Sequence, residues 1–248
     1  MKLAAGLVLA VLFVGSAAWA TPPQIKDGGE LIAAMHARYE HDWYRTVTFT
    51  EQATTRGADG AMKTETWWEE LLLPGKLRIN IGSPTSGNAR IFNDGQLTSF
   101  QNGKMTGSRP FVHMLLVLGF DVYRQEPQVT IAQAKDQGFD LSVLHDDTWQ
   151  GKPVYVIGAK RGDLKSKQFW IEKDRLLFVR LIQPDERDAT KTDDDRFGDY
   201  RRLPVGWISA RVDFYSGGVD VFIEKYANIR ENAKLDPSLF DAGKFTWH

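Results

Sequence analysis

The side chains that most often carry chemistry are few in this sequence and widely spaced. The five histidines, His36, His41, His113, His145 and His248, form no H-E-x-x-H pair and no other metal-binding spacing. The absence of cysteine excludes disulfides, thiolate metal sites and a cysteine nucleophile. There is no G-x-S-x-G elbow, dinucleotide-binding glycine motif or phosphate loop. These features predict no metal and no cofactor. They also predict surface positions for His36 and His41, and a buried, hydrogen-bonded imidazole at His113.

The adjacent acids do not form a hydrolase pair. Glu69-Glu70 and Asp146-Asp147 each lie within predicted strands, where neighbouring side chains point to opposite faces. The two carboxyls of such a dipeptide therefore cannot flank one glycosidic bond. These positions predict no catalytic dyad.

A run of three aspartates at 193–195, with Gly198 and Asp199, has the composition of a calcium-binding loop. The positions that would hold further ligands are occupied by Phe197 and Pro204, and Pro204 stands where a bidentate glutamate is required. We therefore interpret the run as a solvated turn.

The first twenty residues have the three parts of a secretory signal peptide. Met1-Lys2 is positively charged, 3–14 is apolar, and Ala18-Trp19-Ala20 has the small residues required at the cleavage site. The apolar run is shorter than the roughly 20 residues of a membrane span. The sequence predicts cleavage after Ala20 and export of residues 21–248 to a bacterial-type periplasm.

The remaining chain, Thr21 to His248, has the length of one domain and can bury a sizeable core. The formal charge of −1 becomes −2 without Lys2, and acids and bases are mixed along the chain. A nucleic-acid-binding protein typically has a basic face and a high pI, whereas this pI is about 6.5. Composition therefore argues against nucleic acid as a partner.

Three segments predict helices. Leu31, Met35 and Tyr39 recur on one face of a helix over 30–39, and Asp27 with Glu30 resembles a capping box. The segment 110–120 begins with proline and is apolar almost all round, so as a helix it must be buried on all sides. The segment 128–137 predicts a more polar helix.

Elsewhere the chain alternates between strand-like runs and tight turns, such as Asp59-Gly60, Asn102-Gly103 and Gly217-Gly218. We predict a mainly β (α+β) protein with a single antiparallel sheet of about eleven or twelve strands in meander order. So many strands should curl into a half-barrel, with helices covering the concave face. The predicted strands span 43–54, 63–73, 76–81, 89–93, 97–101, 141–144, 154–159, 168–172, 176–183, 190–200, 208–215 and 219–226.

Apolar side chains recur at alternate positions of these strands. Two short helices offer little cover for so large an apolar face, and the uncovered part predicts a pocket for an apolar ligand. An ordinary filled core is the alternative. The predicted cavity lining comprises Val47, Phe49, Trp67, Leu71, Leu73, Leu77, Ile79, Ile91, Phe111, Met114, Leu115, Leu118, Phe169, Ile171, Val179, Leu181, Val212 and Phe214.

The order of the elements resembles that of the LolA-like outer-membrane lipoprotein-sorting family over essentially all of residues 21–248. The resemblance rests on the strand at 66–73, the turn and strand at 74–79, the hairpin at 91–97, and the closing strand and tail at 226–240. It implies a LolA/LolB-like half-barrel around a hydrophobic cavity, with helices as a lid and no cofactor.

As partners, the resemblance implies acyl chains of lipoproteins or another lipid. Transport components of the inner and outer membranes are further candidates, and a monomer is expected. At the position where carriers of the family have a lid-holding arginine before a proline, this chain has Leu73 before Pro74, with Arg78 nearby. A divergent lipid binder and a lipoprotein shuttle therefore both remain open.

Three functions compete at this stage. A carrier predicts a cavity that admits an alkyl chain. A non-catalytic sensor or interaction domain of the same fold predicts a filled core and an exposed apolar patch that binds a partner protein. An enzyme predicts converging polar groups, and the sequence favours no enzyme.

Overall fold

The computed structural model describes residues 24–247, so the predicted signal peptide at 1–20 lies outside the described residues. The described chain forms one sheet of thirteen antiparallel strands, with three α-helices packed on it. No helix within 24–247 has the length and apolar character needed to cross a membrane. The helices are α1 (Gly28–Tyr39), α2 (Met114–Gly119) and α3 (Pro127–Asp136). The strands are β1 (Thr46–Arg56), β2 (Met62–Leu72), β3 (Lys76–Asn80), β4 (Ala89–Asn93), β5 (Gln96–Gln101), β6 (Lys104–Pro110), β7 (Leu144–Trp149), β8 (Lys152–Ile157), β9 (Gln168–Glu172), β10 (Leu177–Pro184), β11 (Thr192–Arg202), β12 (Trp207–Ser216) and β13 (Val219–Glu231).

The strand order confirms an open meander. It runs β6-β5-β4-β3-β2-β1-β13-β12-β11-β10-β9-β8-β7, with β6 and β7 as the two edges. The pairing of β1 with β13 joins the two halves of the chain. One cavity is lined both by Phe92 of β4 and by Phe197 of β11, and these strands would lie roughly 29 Å apart in a flat sheet with about 4.8 Å between strands. The sheet is therefore curved, and we call the face that carries the helices and the main core its inner face.

The predicted helix at 110–120 is wrong in its first part. Residues up to Pro110 belong to the edge strand β6, in which Gln96 of β5 pairs with Pro110. Proline is tolerated in an edge strand, where its missing N–H need not complete a ladder. All seven residues of β6 are exposed, so the strand lacks the apolar alternation by which the others were recognised.

Two other predictions need correction. The strand predicted at 141–144 begins only at Leu144, because the Leu141 carbonyl accepts from the Gly28 N–H at 2.7 Å and so serves α1 instead. The acidic run at 193–195 is part of β11 and is not a turn. Within it, Asp194 pairs with Arg180 at 2.7 Å and with Arg196 at 2.6 Å.

The outer face of the sheet is partly covered by the C-terminal tail. Phe245 stacks on Phe100 with ring centroids 3.8 Å apart. The guanidinium of Arg78 lies 4.9 Å from the Phe245 ring and donates to the Thr246 carbonyl at 2.7 Å. Ile91 and Phe100 belong to the small core beneath this tail. The tail therefore packs on β3, β4 and β5 and stabilises their outer face.

We expect Phe245→Ala to lower the free energy of unfolding by about 2 kcal/mol, because it removes a stacked aromatic pair and a cation–π contact. Urea denaturation would measure the loss. Lys244→Ala is the control: its side chain is exposed and only ion-pairs with Asp241 at 3.5 Å, so it should change stability by no more than about 0.5 kcal/mol. Equal losses of unfolding free energy in the two variants would contradict a stabilising role of the Phe245 contacts.

Candidate ligand cavity

A cavity of about 250 Å³ lies between the inner face of the sheet and helix α2. Its walls are mainly apolar and aromatic, as expected of a pocket for a greasy ligand. Its polar side chains are two glutamates, a tyrosine, an arginine and a histidine. The lining residues are Trp67, Glu69, Leu71, Leu77, Ile79, Arg90, Phe92, His113, Leu115, Leu116, Phe120, Phe197, Phe214, Phe222, Glu224 and Tyr226.

The structure brings six of the predicted lining residues to this cavity: Trp67, Leu71, Leu77, Ile79, Leu115 and Phe214. Others belong to the main core of the inner face without lining the cavity. These are Val47, Phe49, Leu73, Met114, Leu118, Phe169, Ile171, Leu181 and Val212. Phe111 is half-buried and lines a neighbouring groove beside Val112 and Gln125.

Two of the predicted residues lie on the opposite face. Ile91 packs under the C-terminal tail, because β4 presents Arg90 and Phe92 to the cavity instead. Val179 packs on the outer face, while Leu181 of the same strand lies in the inner core. A β-bulge between Phe178 and Arg180 explains this difference, since the extra residue breaks the strict alternation on which the prediction relied.

Helix α2 closes the cavity through Leu115 and Leu116, and Gly119 sets how closely it approaches the sheet. A Cβ atom at Gly119 would lie 3.0 Å from the Phe197 ring, so a larger residue would push the helix outward. Just beyond the helix, the Asp121 carboxylate accepts from the Gly75 N–H at 3.0 Å. Burial raises the pKa of Asp121 to about 7.

Asp121 therefore connects the segment just after α2, the helix that covers the cavity as a lid, to the β2–β3 turn. This turn is the place where the resemblance implied an arginine. Leu73 is buried in the main core, and Arg78 points to the outer face and the tail. Neither side chain substitutes for the lid arginine of the family. The side chain that bridges lid and turn in this chain is an acid.

Three glutamates face the inner side on the adjacent strands β2, β1 and β13. Glu51 pairs across strands with Tyr226 on one side and Trp67 on the other. Glu69 and Glu224 occupy neighbouring inward positions and line the cavity. The Tyr226 hydroxyl donates to Glu224 at 2.5 Å. We call these residues, Glu51, Glu69, Glu224 and Tyr226, the carboxyl cluster.

Burial dominates the ionisation of the carboxyl cluster. Burial, with the neighbouring Glu69 carboxyl, raises the pKa of Glu51 to about 11. Burial, with the charges of Glu224 and Glu70, raises the pKa of Glu69 to about 8. Burial and the charge of Glu51 raise the pKa of Glu224 well above its usual range. Glu51 and Glu69 are therefore protonated at neutral pH.

The opposite wall supplies the basic groups. Arg90 of β4 lines the cavity with an exposed side chain, and His113 lies 4.8 Å from the Phe92 ring, measured between centroids. Burial, and then the charge of Arg90, lower the pKa of His113 to about 4. His113 is therefore neutral at pH 7, and Arg90 is the charged base in the lining.

The adjacent acids at 69 and 70 diverge as predicted. Glu69 enters the cavity, whereas Glu70 accepts from the Asn80 side-chain amide at 3.1 Å and shares the outer face with Arg78. Sequence reasoning missed that Glu69 joins acids from other strands. One signal was available: Glu51 follows Val47 and Phe49 at the inward spacing, where an apolar residue is expected.

Solved structures share this fold. A DUF1329 family protein from Desulfovibrio piger matches with a TM-score of 0.58 and 14% identity, over 87% of this chain and 96% of the other. A putative outer membrane lipoprotein-sorting protein domain from Vibrio parahaemolyticus matches with a TM-score of 0.55 and 14% identity, over 87% and 97%. A LolA superfamily protein from Nitrosomonas europaea matches with a TM-score of 0.52 and 13% identity, over 84% and 96%.

No family model matches the sequence, and no curated protein does. The structural matches cover nearly the whole of each related chain and most of this one. The predicted LolA-like fold is confirmed, and identities this low establish the fold alone.

Proposed function

We propose that this chain is a non-catalytic periplasmic carrier that holds an apolar chain of a lipoprotein or another lipid and delivers it towards the outer membrane. The observation that carries the proposal is the cavity of about 250 Å³ under α2, with its aliphatic and aromatic walls. Two of the solved structures with this fold are described as a lipoprotein-sorting domain and a LolA superfamily protein. Export would follow cleavage after Ala20, and the carrier would act as a monomer.

The size of the cavity limits its contents. Pockets for drug-sized ligands are roughly 300–1,000 Å³, so a cavity of about 250 Å³ holds a single chain or a small ring system. A bulkier ligand would require α2 to move outward. Leu115 is half-buried and reaches the cavity from α2, so the lid and the ligand would compete for the same space.

The converging carboxyls do not favour an enzyme. A glycoside hydrolase of the usual type needs one ionised carboxylate beside one protonated acid. Here burial raises the pKa of Glu69 to about 8 and also raises the pKa of Glu224. The two carboxyls are shifted in the same direction, so the contrast between an ionised and a protonated acid that such a hydrolase needs is not built into this pair.

The direct test is native mass spectrometry of the protein purified from its own periplasm, in which a lipid or acylated peptide should co-purify. A fluorescent fatty-acyl probe gives the quantitative version. We expect Leu115→Trp, which fills the cavity, to weaken probe binding by about tenfold, equivalent to roughly 1.4 kcal/mol. Met105→Trp on the exposed edge strand β6 is the matched control and should leave the affinity as it is.

A failure of the wild-type protein to bind any acyl probe, together with a ligand-free mass spectrum, would refute the carrier. The same protein would then be better described as a sensor or interaction domain.

A further inference from the structure

The carboxyl cluster is unusual for a cavity with otherwise apolar walls. Glu51 has no exposed surface, and among the described residues the Glu69 carboxyl is the one group that shares a hydrogen bond with its carboxyl. Glu51 also acts on the pKa of Glu224, so it points into the group of acids at the cavity wall. Buried polar groups are nearly always paired with a complementary partner, and a buried acid whose partner is another acid calls for a functional explanation.

The aromatic residues around these acids form a second feature. Trp67 and Phe222 lie 5.5 Å apart between ring centroids, and Phe214 lies 5.3 Å from Phe222. Tyr226 joins the same wall and hydrogen-bonds to Glu224. Aromatic faces beside carboxyls are the usual recognition elements for organic ammonium groups.

The groups that face the cluster allow a cation to be paired there. On the sheet, Asp195 of β11 is buried, and burial, with the charges of Asp193 and Asp194, raises its pKa to about 8. Arg90 faces from the opposite wall with an exposed side chain, so solvent screens its charge, and His113 beside it is neutral at pH 7. A cationic head group on this side of the cavity would be paired once one of the buried carboxyls ionises.

A metal ion does not fit the same groups. Within residues 24–247, no three carboxylate or imidazole side chains have an arrangement that could hold one. An organic cation makes weaker geometric demands, because its charge is spread and aromatic rings can share in its recognition.

We propose that the cavity binds an amphiphile with an apolar chain and a terminal organic ammonium, the ammonium lying against Glu69, Glu224 and the aromatic rings of Trp67 and Phe222. This inference rests on the proposed carrier function and names the chemical class of its ligand. Because a buried cation must be paired, binding shifts one carboxyl of the cluster to its ionised form. The displaced proton leaves to solvent.

The test compares three probes of equal chain length: decyltrimethylammonium, decan-1-ol and decanoate. Calorimetric titration at pH 7 should show the ammonium binding about tenfold more tightly than the alcohol, with decanoate the weakest. Decyltrimethylammonium carries a permanent charge, so any proton released on its binding comes from the protein. Titrations in buffers of different ionisation enthalpy should show release of up to one proton for the ammonium and none for the alcohol.

Glutamine variants test whether the preference for the ammonium head group depends on the carboxyl cluster. Glu69→Gln and Glu224→Gln keep the side-chain shape but cannot ionise, and each should reduce the ratio of ammonium to alcohol affinity several-fold. Glu65→Gln makes the same change at an exposed position of β2 outside the cavity and should leave the ratio as in the wild type. The comparison of head groups on the wild-type protein needs no variant, so a misfolded variant would not leave the inference untested.

Equal affinities for the three head groups, or tightest binding of decanoate, would overturn the inference while leaving the carrier in place. Absence of binding by all three probes would overturn the carrier as well.

Discussion

Replacing Glu51 with glutamine should stabilise the protein increasingly as the pH rises. The Glu51 carboxyl is fully buried beside the Glu69 carboxyl, and its pKa is raised to about 11 in the folded protein, against an ordinary value of 4.5. Between these two values, the folded state keeps a proton that the unfolded chain gives up. The folded state therefore binds more protons than the unfolded state, and its stability falls as the pH rises.

The expected size follows from the linkage. Each pH unit above the unfolded pKa costs about 1.4 kcal/mol for a group that stays protonated only when folded. Between pH 5.5 and 7.5, the difference in unfolding free energy between Glu51→Gln and the wild type should grow by roughly 3 kcal/mol in favour of the variant. Glutamine cannot ionise, and its own buried polar atoms add an offset that is independent of pH.

Urea denaturation at several pH values would measure this growth. Glu65→Gln, at an exposed position of β2, should follow the wild-type curve throughout. Parallel curves for Glu51→Gln and wild type would mean that Glu51 ionises in the folded protein at an ordinary pKa, which would contradict the prediction.

The sheet was predictable because its signals are local. Most strands alternate apolar and polar side chains, and pairs such as Asn102-Gly103 supply the positive backbone φ that their hairpins need. The strands at 89–93 and 168–172 have the predicted bounds. The exception, β6, has exposed side chains throughout, so no face of it is marked by burial.

The site was less predictable, because its composition depends on distant pairings. Glu51 and Glu224 meet only because β1 pairs with β13 at the join between the two halves of the sheet. A local pattern can show that Glu51 occupies an inward position, but it cannot show which residues lie opposite. Tertiary packing likewise decides that Ile79 lines the cavity while Phe169 packs against Phe139 in the main core, although both were recognised as inward-facing.

Departures from regular strand geometry limited the prediction of which side chains face inward. Strict alternation places Val179 on the same face as Leu181, and the bulge between Phe178 and Arg180 reverses this. Bulges depend on the partner strand as much as on their own sequence. Ile91 was assigned to the wrong face for a simpler reason: each face of β4 carries a large apolar side chain, Phe92 on the inner face and Ile91 on the outer face beneath the C-terminal tail.

Truncating two inward-facing residues should distinguish a cavity from an ordinary core. Leu118 of α2 has no exposed surface and lies in the main core away from the cavity. Leu118→Ala should lower the free energy of unfolding by about 3–4 kcal/mol, within the range of tightly packed core truncations. Ile79 has one side on the cavity and therefore has fewer packing partners to lose. Ile79→Ala should cost about 1 kcal/mol by the same reasoning.

Ligand binding should separate the two variants further. Ile79→Ala alters the cavity wall and should weaken binding of a fluorescent fatty-acyl probe several-fold, an effect out of proportion to its small loss of stability. Leu118→Ala, measured at a temperature where the variant is folded, serves as the comparison for stability loss at a site away from the wall. A loss of about 3–4 kcal/mol for Ile79→Ala, together with no probe binding by the wild-type protein, would mean that the inner face is filled. The sensor interpretation would then replace the carrier, because a filled core leaves only the protein surface for recognition.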